Sequence, residues 1–285
     1  MISSEMKSQN IVVHQAKDDC DTLIVKTAIN LVKSQNSPVV VVAQDTDILV
    51  LLCYHRPSNS SHLYLQSGCN DIYDISSIDI GDREEFIFKY GWSGNDTVSC
   101  IHGHTKVAVS RCKFPSNVIT AFTDLTSPEN TIRTAGSKAM QITYGCGDIP
   151  LDQYRYKQFQ KQASKGKIDP DRLPPTENAT AQHSLRVHLQ VMIWKHLNTS
   201  VLQPVGRGWE LHDKRLRPTM LSIGIAPDNL LKGICCNCRE GEKQCQTMRC
   251  SCKKFGMSCV QACGVCSGHC PNGTDEVIHS DEEID

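Results

Sequence analysis

Pro38-Val39-Val40-Val41-Val42-Ala43-Gln44-Asp45-Thr46-Asp47-Ile48-Leu49 is the stretch that sets the fold class. Four valines and an alanine run without a polar break, which predicts a strand over Val39–Ala43 buried on both faces of a parallel sheet. The apolar pattern resumes after Asp47, so Ile48–Tyr54 is expected as a helix or turn packed on that sheet. Upstream, Leu23, Ile24, Ala28, Ile29, Leu31 and Val32 recur at helical spacing and predict a helix over Asp21–Ser34. Helix, buried strand, helix in that order indicates an α/β domain. Open parallel sheets bind ligands beyond the carboxyl ends of their strands, where Gln44-Asp45-Thr46-Asp47 stands. An extended backbone points Asp45 and Asp47 the same way, and a divalent cation relieves their mutual repulsion.

Further out, Ile11–Val13, His62–Leu65 and Ile72–Ile75 are expected as short strands, and Arg83–Lys89 and Lys106–Arg111 as helices. Pro174-Pro175 precedes a helix that begins at Thr176, with apolar positions through Leu185, Leu189, Met192, Ile193 and Trp194. Gly206–Asn229, with Pro218 and Pro227, is expected as an extended linker. Asp18, Asp19 and Asp21 stand at the start of the Asp21–Ser34 helix, where capping alone accounts for one or two of them. Downstream, Ser93-Gly94-Asn95-Asp96-Thr97 is a polar turn. Ile101-His102-Gly103-His104-Thr105-Lys106 follows and leads into a helix.

In this order, the elements over residues 11–115 resemble the internal region of flap-endonuclease-like and PIN-like nucleases. The resemblance implies that Asp19 and Asp21 form a first acidic pair, Asp45 and Asp47 a second, and that Asp96 completes the set. It implies Mg2+ or Mn2+ ions on these carboxylates and two-metal hydrolysis of a phosphodiester. Gly103 and Lys106 fall where that family presents amides and a cation to phosphate. The family also places acids on a strand near its N-terminus. Here Glu5 is the one acid before Asp18, so an incomplete domain is expected, as in transposon-derived proteins. A doubly wound α/β domain with acidic loop ends and no catalysis is the alternative.

Ten of the sixteen cysteines lie between Cys235 and Cys270. From Cys236 the run is C-x-C-x6-C-x4-C-x-C-x6-C-x3-C-x2-C-x3-C: Cys236, Cys238, Cys245, Cys250, Cys252, Cys259, Cys263, Cys266 and Cys270. Three tetrahedral zinc ions offer about twelve positions, which nine sulfurs fill if three of them bridge. Ile234, Met248, Phe255, Met257 and Val260 are too few to make a core, so metal is expected to supply the folding energy. A disulfide-rich secreted knot is the alternative. Against it, Met1–Asn10 is polar, and Cys20, Cys53, Cys69, Cys100, Cys112 and Cys146 are scattered singly.

The cysteine segment resembles the tesmin-type CXC domain, a zinc-bound DNA-binding module, although Arg249 stands where that family often has tyrosine. The resemblance implies DNA contact through Arg249, Lys253, Lys254 and neighbouring amides, mainly at phosphates.

The net charge of −1 hides a strong asymmetry. Residues 1–100 carry −6, residues 151–220 carry +6, residues 232–270 carry +4 and the tail from Thr274 carries −6. This distribution suits metal at one end and phosphates elsewhere; ordinary solvated faces explain the 151–220 stretch equally well. The expected organisation is a nuclease-like region at 11–115, a helical extension at 116–200, a linker at 201–231, the zinc module at 232–271 and an acidic disordered tail at 272–285. The fold class is α/β, a partial parallel sheet with a helical extension and a small irregular zinc module. DNA is the expected partner, with RNA a second option, no membrane partner and a nuclear location following from function. Active phosphodiesterase and metal-storage or thiol-redox protein are the competing functions. His183, His188 and His196 are read as surface or satisfied histidines, and Trp92, Trp194 and Trp209 as packing anchors.

Overall fold

The computed structural model describes residues 2–17, 19–35, 37–58, 62–68, 71–163, 172–221, 236–241, 244–254, 258–259 and 263–273. The chain divides into two units, Met1–Thr143 with Thr180–Thr219, and Tyr144–Ala179 with Met220–Asp285. In chain order the first unit begins with α1 (Ile2–Ser8), α2 (Cys20–Ser34), β1 (Val39–Val42), α3 (Thr46–His55), β2 (Leu63–Ser67) and β3 (Asp71–Asp74). It continues with α4 (Arg83–Trp92), α5 (Lys106–Ser110), α6 (Ser116–Thr123) and α7 (Glu129–Tyr144). Helix α8 (Leu151–Ala163) belongs to the second unit, α9 (Glu177–His196) and the strands β4 (Trp209–His212) and β5 (Arg215–Pro218) chiefly to the first, and α10 (Ser251–Lys254) to the second.

Local chemistry sets the boundaries. Asp19 caps α2, Asp45 caps α3 and Asp82 caps α4, each accepting a backbone N–H of the first turn. Arg56 precedes Pro57, which disfavours further helix and ends α3. β1, α3 and β2 make a βαβ unit, with β1 parallel to β2 in the register Val39↔Leu63.

The sheet differs from expectation in two respects. It is mixed, because β3 runs antiparallel to β2, pairing Tyr73 with Leu65. It is also covered on one face only: Val39 and Val41 turn inward, while Val40 is 50% and Val42 72% exposed. The unbroken valine run therefore does not mark a strand buried on both faces. Ile11–Val13 forms no strand, and α1 precedes it instead. Within the expected linker, β4 and β5 pair as a hairpin. Asp213 and Lys214 make its two-residue turn at φ 49° and 62°, both left-handed as a type I′ turn requires.

The core lies between the inner sheet face and the helices. Val25, Ile29, Leu51, Leu52, Leu63, Leu65 and Ile75 are buried there. Phe88 stacks on Phe122 at 4.8 Å and meets Phe114 edge-on at 5.1 Å. Helix α9 is buried around most of its circumference, from Leu185 and Val187 to Met192 and Trp194, so it is a central helix and not an amphipathic cover. It crosses α7 closely enough that a Cβ on Gly136 would lie 1.8 Å from Ser184 Oγ. Among the described residues no helix is long and apolar enough to cross a membrane. The expected acidic tail from Thr274 and linker residues 222–231 lie outside the described residues.

Candidate metal centres

Among its described residues, the cysteine centre has almost no regular structure to shape it. Its chain is bent by turns and by the single helical turn α10, which carries Cys252. Cys245 holds φ 58° and Ser267 φ 44°, left-handed conformations that cost non-glycine residues on the order of 1–2 kcal/mol each. Such strain persists only where the surroundings fix it. Here it turns the sulfurs inward: Cys236, Cys245, Cys250, Cys252, Cys259, Cys263 and Cys266 are each at most 5% exposed. Cys238 and Cys270 pack against them at the edge.

The sulfurs stand apart as thiols, without disulfides among the described cysteines. Cys236 Sγ lies 3.6 Å from Cys245, 3.7 Å from Cys259 and 3.8 Å from Cys266. Cys250 lies 3.7 Å from Cys259, and Cys252 lies 3.5 Å from Cys263. The edge of a ZnS4 tetrahedron with bonds of about 2.3 Å is about 3.8 Å, so the donor set fits zinc in both chemistry and spacing. Three groups of four have all their sulfurs within 4.8 Å: Cys236, Cys245, Cys250 and Cys259; Cys236, Cys259, Cys263 and Cys266; Cys245, Cys259, Cys266 and Cys270. Cys259 is common to all three.

Burial, reinforced by neighbouring sulfurs, pushes the thiols of Cys245, Cys252 and Cys259 well up. At Cys250 burial acts in the same sense, but the Lys253 backbone N–H and the sulfurs of Cys236 and Cys259 outweigh it and draw the thiol down to about 7. The raised thiols of Cys245, Cys252 and Cys259 surrender their protons to a metal and hold them otherwise. Around them Arg249, Lys253 and Lys254 are exposed, with Lys253 Nζ donating to the Gln246 carbonyl at 2.6 Å. Cys235, Ile234, Phe255, Met257 and Val260 lie outside the described residues.

The carboxylates of the first unit occupy helix starts. Asp19 accepts from the Asp21 N–H at 3.3 Å and Asp45 from the Asp47 N–H at 2.8 Å. Asp45 and Asp47 are thus a helix cap and a first-turn residue, not neighbours on an extended strand, because the cap bond starts α3 at Thr46. The charges nonetheless converge. Burial raises the Asp21 carboxyl, and the charges of Asp19, Asp45 and Asp47 raise it further. Half-buried Asp47 is raised by burial against the Tyr90 hydrogen bond, and Asp45 and Asp96 add to the rise while Lys106 opposes it. Asp96 is exposed in a turn closed by the Asn95 and Val98 backbones, and Asp18 lies outside the described residues.

Tyr90 ties this group together, and sequence reasoning did not find it. Its hydroxyl donates to Asp47 Oδ1 at 2.5 Å, and Lys106 Nζ donates to that hydroxyl at 2.7 Å while lying 3.9 Å over the ring. Lys106 is therefore turned toward the carboxylates. Gly103 stands in the exposed turn before α5 at φ 76°. The exposed Cys20 thiol is 3.6 Å from Asp21 Oδ1, which places Asp19, Cys20 and Asp21 together.

His183 and His188 are buried and bonded. His183 Nε2 donates to the Trp92 carbonyl at 3.2 Å and its Nδ1 accepts from Ser99 Oγ at 3.0 Å. His188 Nε2 donates to the Asp124 carbonyl and its Nδ1 accepts from Arg207. Trp92 and Trp194 are buried anchors. Neither a protein-family model, nor a curated protein, nor a solved structure matches this chain.

Proposed function

We propose that the protein binds nucleic acid through a zinc-filled cysteine module of the CXC type, with DNA as its partner and the nucleus as its place of action. The observation that supports this reading best is the spacing of the sulfurs, 3.5–3.8 Å, close to the edge of a ZnS4 tetrahedron. Zinc supplies the cross-links that a module so poor in apolar residues needs in order to fold. In this reading Cys236, Cys238, Cys245, Cys250, Cys252, Cys259, Cys263, Cys266 and Cys270 share three ions, some sulfurs bridging. Exposed Arg249, Lys253 and Lys254 neutralise phosphates.

Native mass spectrometry of the full chain tests the count, and duplex binding across a salt series tests the function. Three zinc ions are expected, with DNA affinity that falls steeply with salt and is lost on chelation. Undiminished affinity after zinc is stripped would overturn the proposal.

A second reading has its own support in the converging charges of Asp21, Asp45, Asp47 and Asp96. The first unit then is a nuclease-like scaffold, and Mg2+ or Mn2+ on these carboxylates supplies a water of lowered pKa for phosphodiester hydrolysis. Asp47 would hold an ion through the oxygen that Tyr90 leaves open, and Lys106 would meet phosphate. Manganese-dependent cleavage of DNA that disappears in Asp47→Ala is expected; cleavage that survives the change removes this reading.

A further inference from the structure

The chain does not leave the cysteine centre after its last sulfur. Cys270-Pro271-Asn272-Gly273 forms a turn closed by the Gly273 N–H, which donates to the Cys270 carbonyl at 2.7 Å. Proline at the second turn position presets the backbone for this bend. The turn returns Asn272 to Cys259. The Cys259 N–H donates to the Asn272 carbonyl at 2.6 Å, and Cys259 and Gly273 form a parallel bridge. Gly273 has no room for a side chain there, since a Cβ would lie 1.7 Å from the Gly268 carbonyl oxygen. Asn272 and Gly273, which the sequence reading leaves in the tail, thus pack on the metal module.

The backbone contacts alone would hold the turn. The Asn272 side chain adds something they do not: its Nδ2 donates to Cys259 Sγ at 3.3 Å. That sulfur is the one shared by all three groups of four cysteines. A thiolate shared between ions must be aimed in more than one direction at once, and its remaining lone-pair density needs a partner. N–H donors to ligand atoms fix their orientation and tune their electron density.

We infer that Asn272 is the positioning residue of the cysteine centre, its amide N–H orienting the shared Cys259 thiolate. The inference rests on the zinc reading above. The amide contributes a donor and no charge, so it steadies the thiolate without competing for the ion. An aspartate of the same shape keeps the backbone contacts but presents an oxygen to the sulfur.

The test uses the full chain and its Asn272→Asp and Asn272→Gln variants, loaded with zinc or with Co2+. Chelator competition is expected to show Asn272→Asp releasing zinc about 10–100-fold more readily, in the range typical for loss of an outer partner. The Co2+ thiolate charge-transfer band is expected to move to lower energy in the same variant, because the sulfur lone pair loses its hydrogen bond. Asn272→Gln, which keeps the amide, should recover part of both. Unchanged affinity with an unshifted band in Asn272→Asp overturns the inference. If that variant does not fold, 113Cd-loaded wild type gives the answer directly: a scalar coupling between 113Cd and the Asn272 amide proton supports the contact, and its absence rejects it. A wild-type chain that takes up no metal fails earlier and overturns the zinc reading itself.

Discussion

The Tyr90 hydroxyl donates to Asp47 Oδ1 across 43 residues of sequence, and Lys106 donates in turn to that hydroxyl. Burial and the Asp47 charge keep the phenol protonated, so the bond's direction is fixed. Tyr90→Phe removes the donor and leaves a half-buried carboxylate without it. A loss of about 1.5–3 kcal/mol at neutral pH is expected, measured by urea denaturation. The hydrogen bond favours ionised Asp47, so the deficit should shrink as pH falls through the raised Asp47 pKa, which lies above 3.8. A deficit that stays constant down to acid pH contradicts the assignment.

His183 supplies a second pH dependence. Burial, then the Arg186 charge, drives its pKa down from 6.5 to about 3. A base whose folded pKa is lowered contributes stability present above its unfolded pKa and lost as pH falls toward the folded one. Stability should therefore decline below pH 6.5 by up to about 1.4 kcal/mol per pH unit for this residue. Burial lowers His55 and His188 as well, and they act in the same direction. Urea midpoints at pH 7.5, 6 and 5 measure the slope, and His183→Gln should flatten it.

The crossing of α7 and α9 leaves no space at Gly136, where an added Cβ would meet Ser184 Oγ at 1.8 Å and Ser184 Cβ at 2.6 Å. Gly136→Ala should destabilise the fold by about 1–3 kcal/mol despite its better helix propensity. Adding Ser184→Gly should recover the steric part. Calorimetry of the single and double variants separates the two terms.

Cys259 belongs to all three groups of four sulfurs, whereas Cys238 sits at the edge and belongs to none of them. Cys259→Ser should therefore weaken zinc retention far more than Cys238→Ser. Chelator-driven zinc release, followed with a chromogenic dye, ranks the two. Equal release rates would mean that the sulfurs do not share ions in this way.

Much of the first unit was legible because its signals are local. The valine run marked β1, the spacing of Leu23 to Val32 marked α2, and Asp19 stood where a cap stands, whereas Asp45, read as extended backbone at the strand's end, proves to cap α3. The cysteine spacing likewise announced a clustered centre. What escaped was non-local or depended on geometry. Tyr90 is an ordinary aromatic in a helix until the fold brings Asp47 and Lys106 to it. The exposure of Val40 and Val42 depends on whether a second layer covers them, which composition does not encode. The hairpin was missed because its turn carries Asp213-Lys214, where Asp-Gly would have signalled a type I′ turn. Asn272 is a common residue in a common turn, and only its distance to Cys259 distinguishes it.

That same hairpin turn is a reserve for protein engineering. Asp213 and Lys214 hold φ 49° and 62°, and lysine has no local hydrogen bond to compensate for the crowding. Lys214→Gly removes the steric penalty at an exposed position, for an expected gain of about 1 kcal/mol. The natural sequence has left that gain unused, so the turn is a place to harden the first unit without touching the cysteine cluster or the carboxylates.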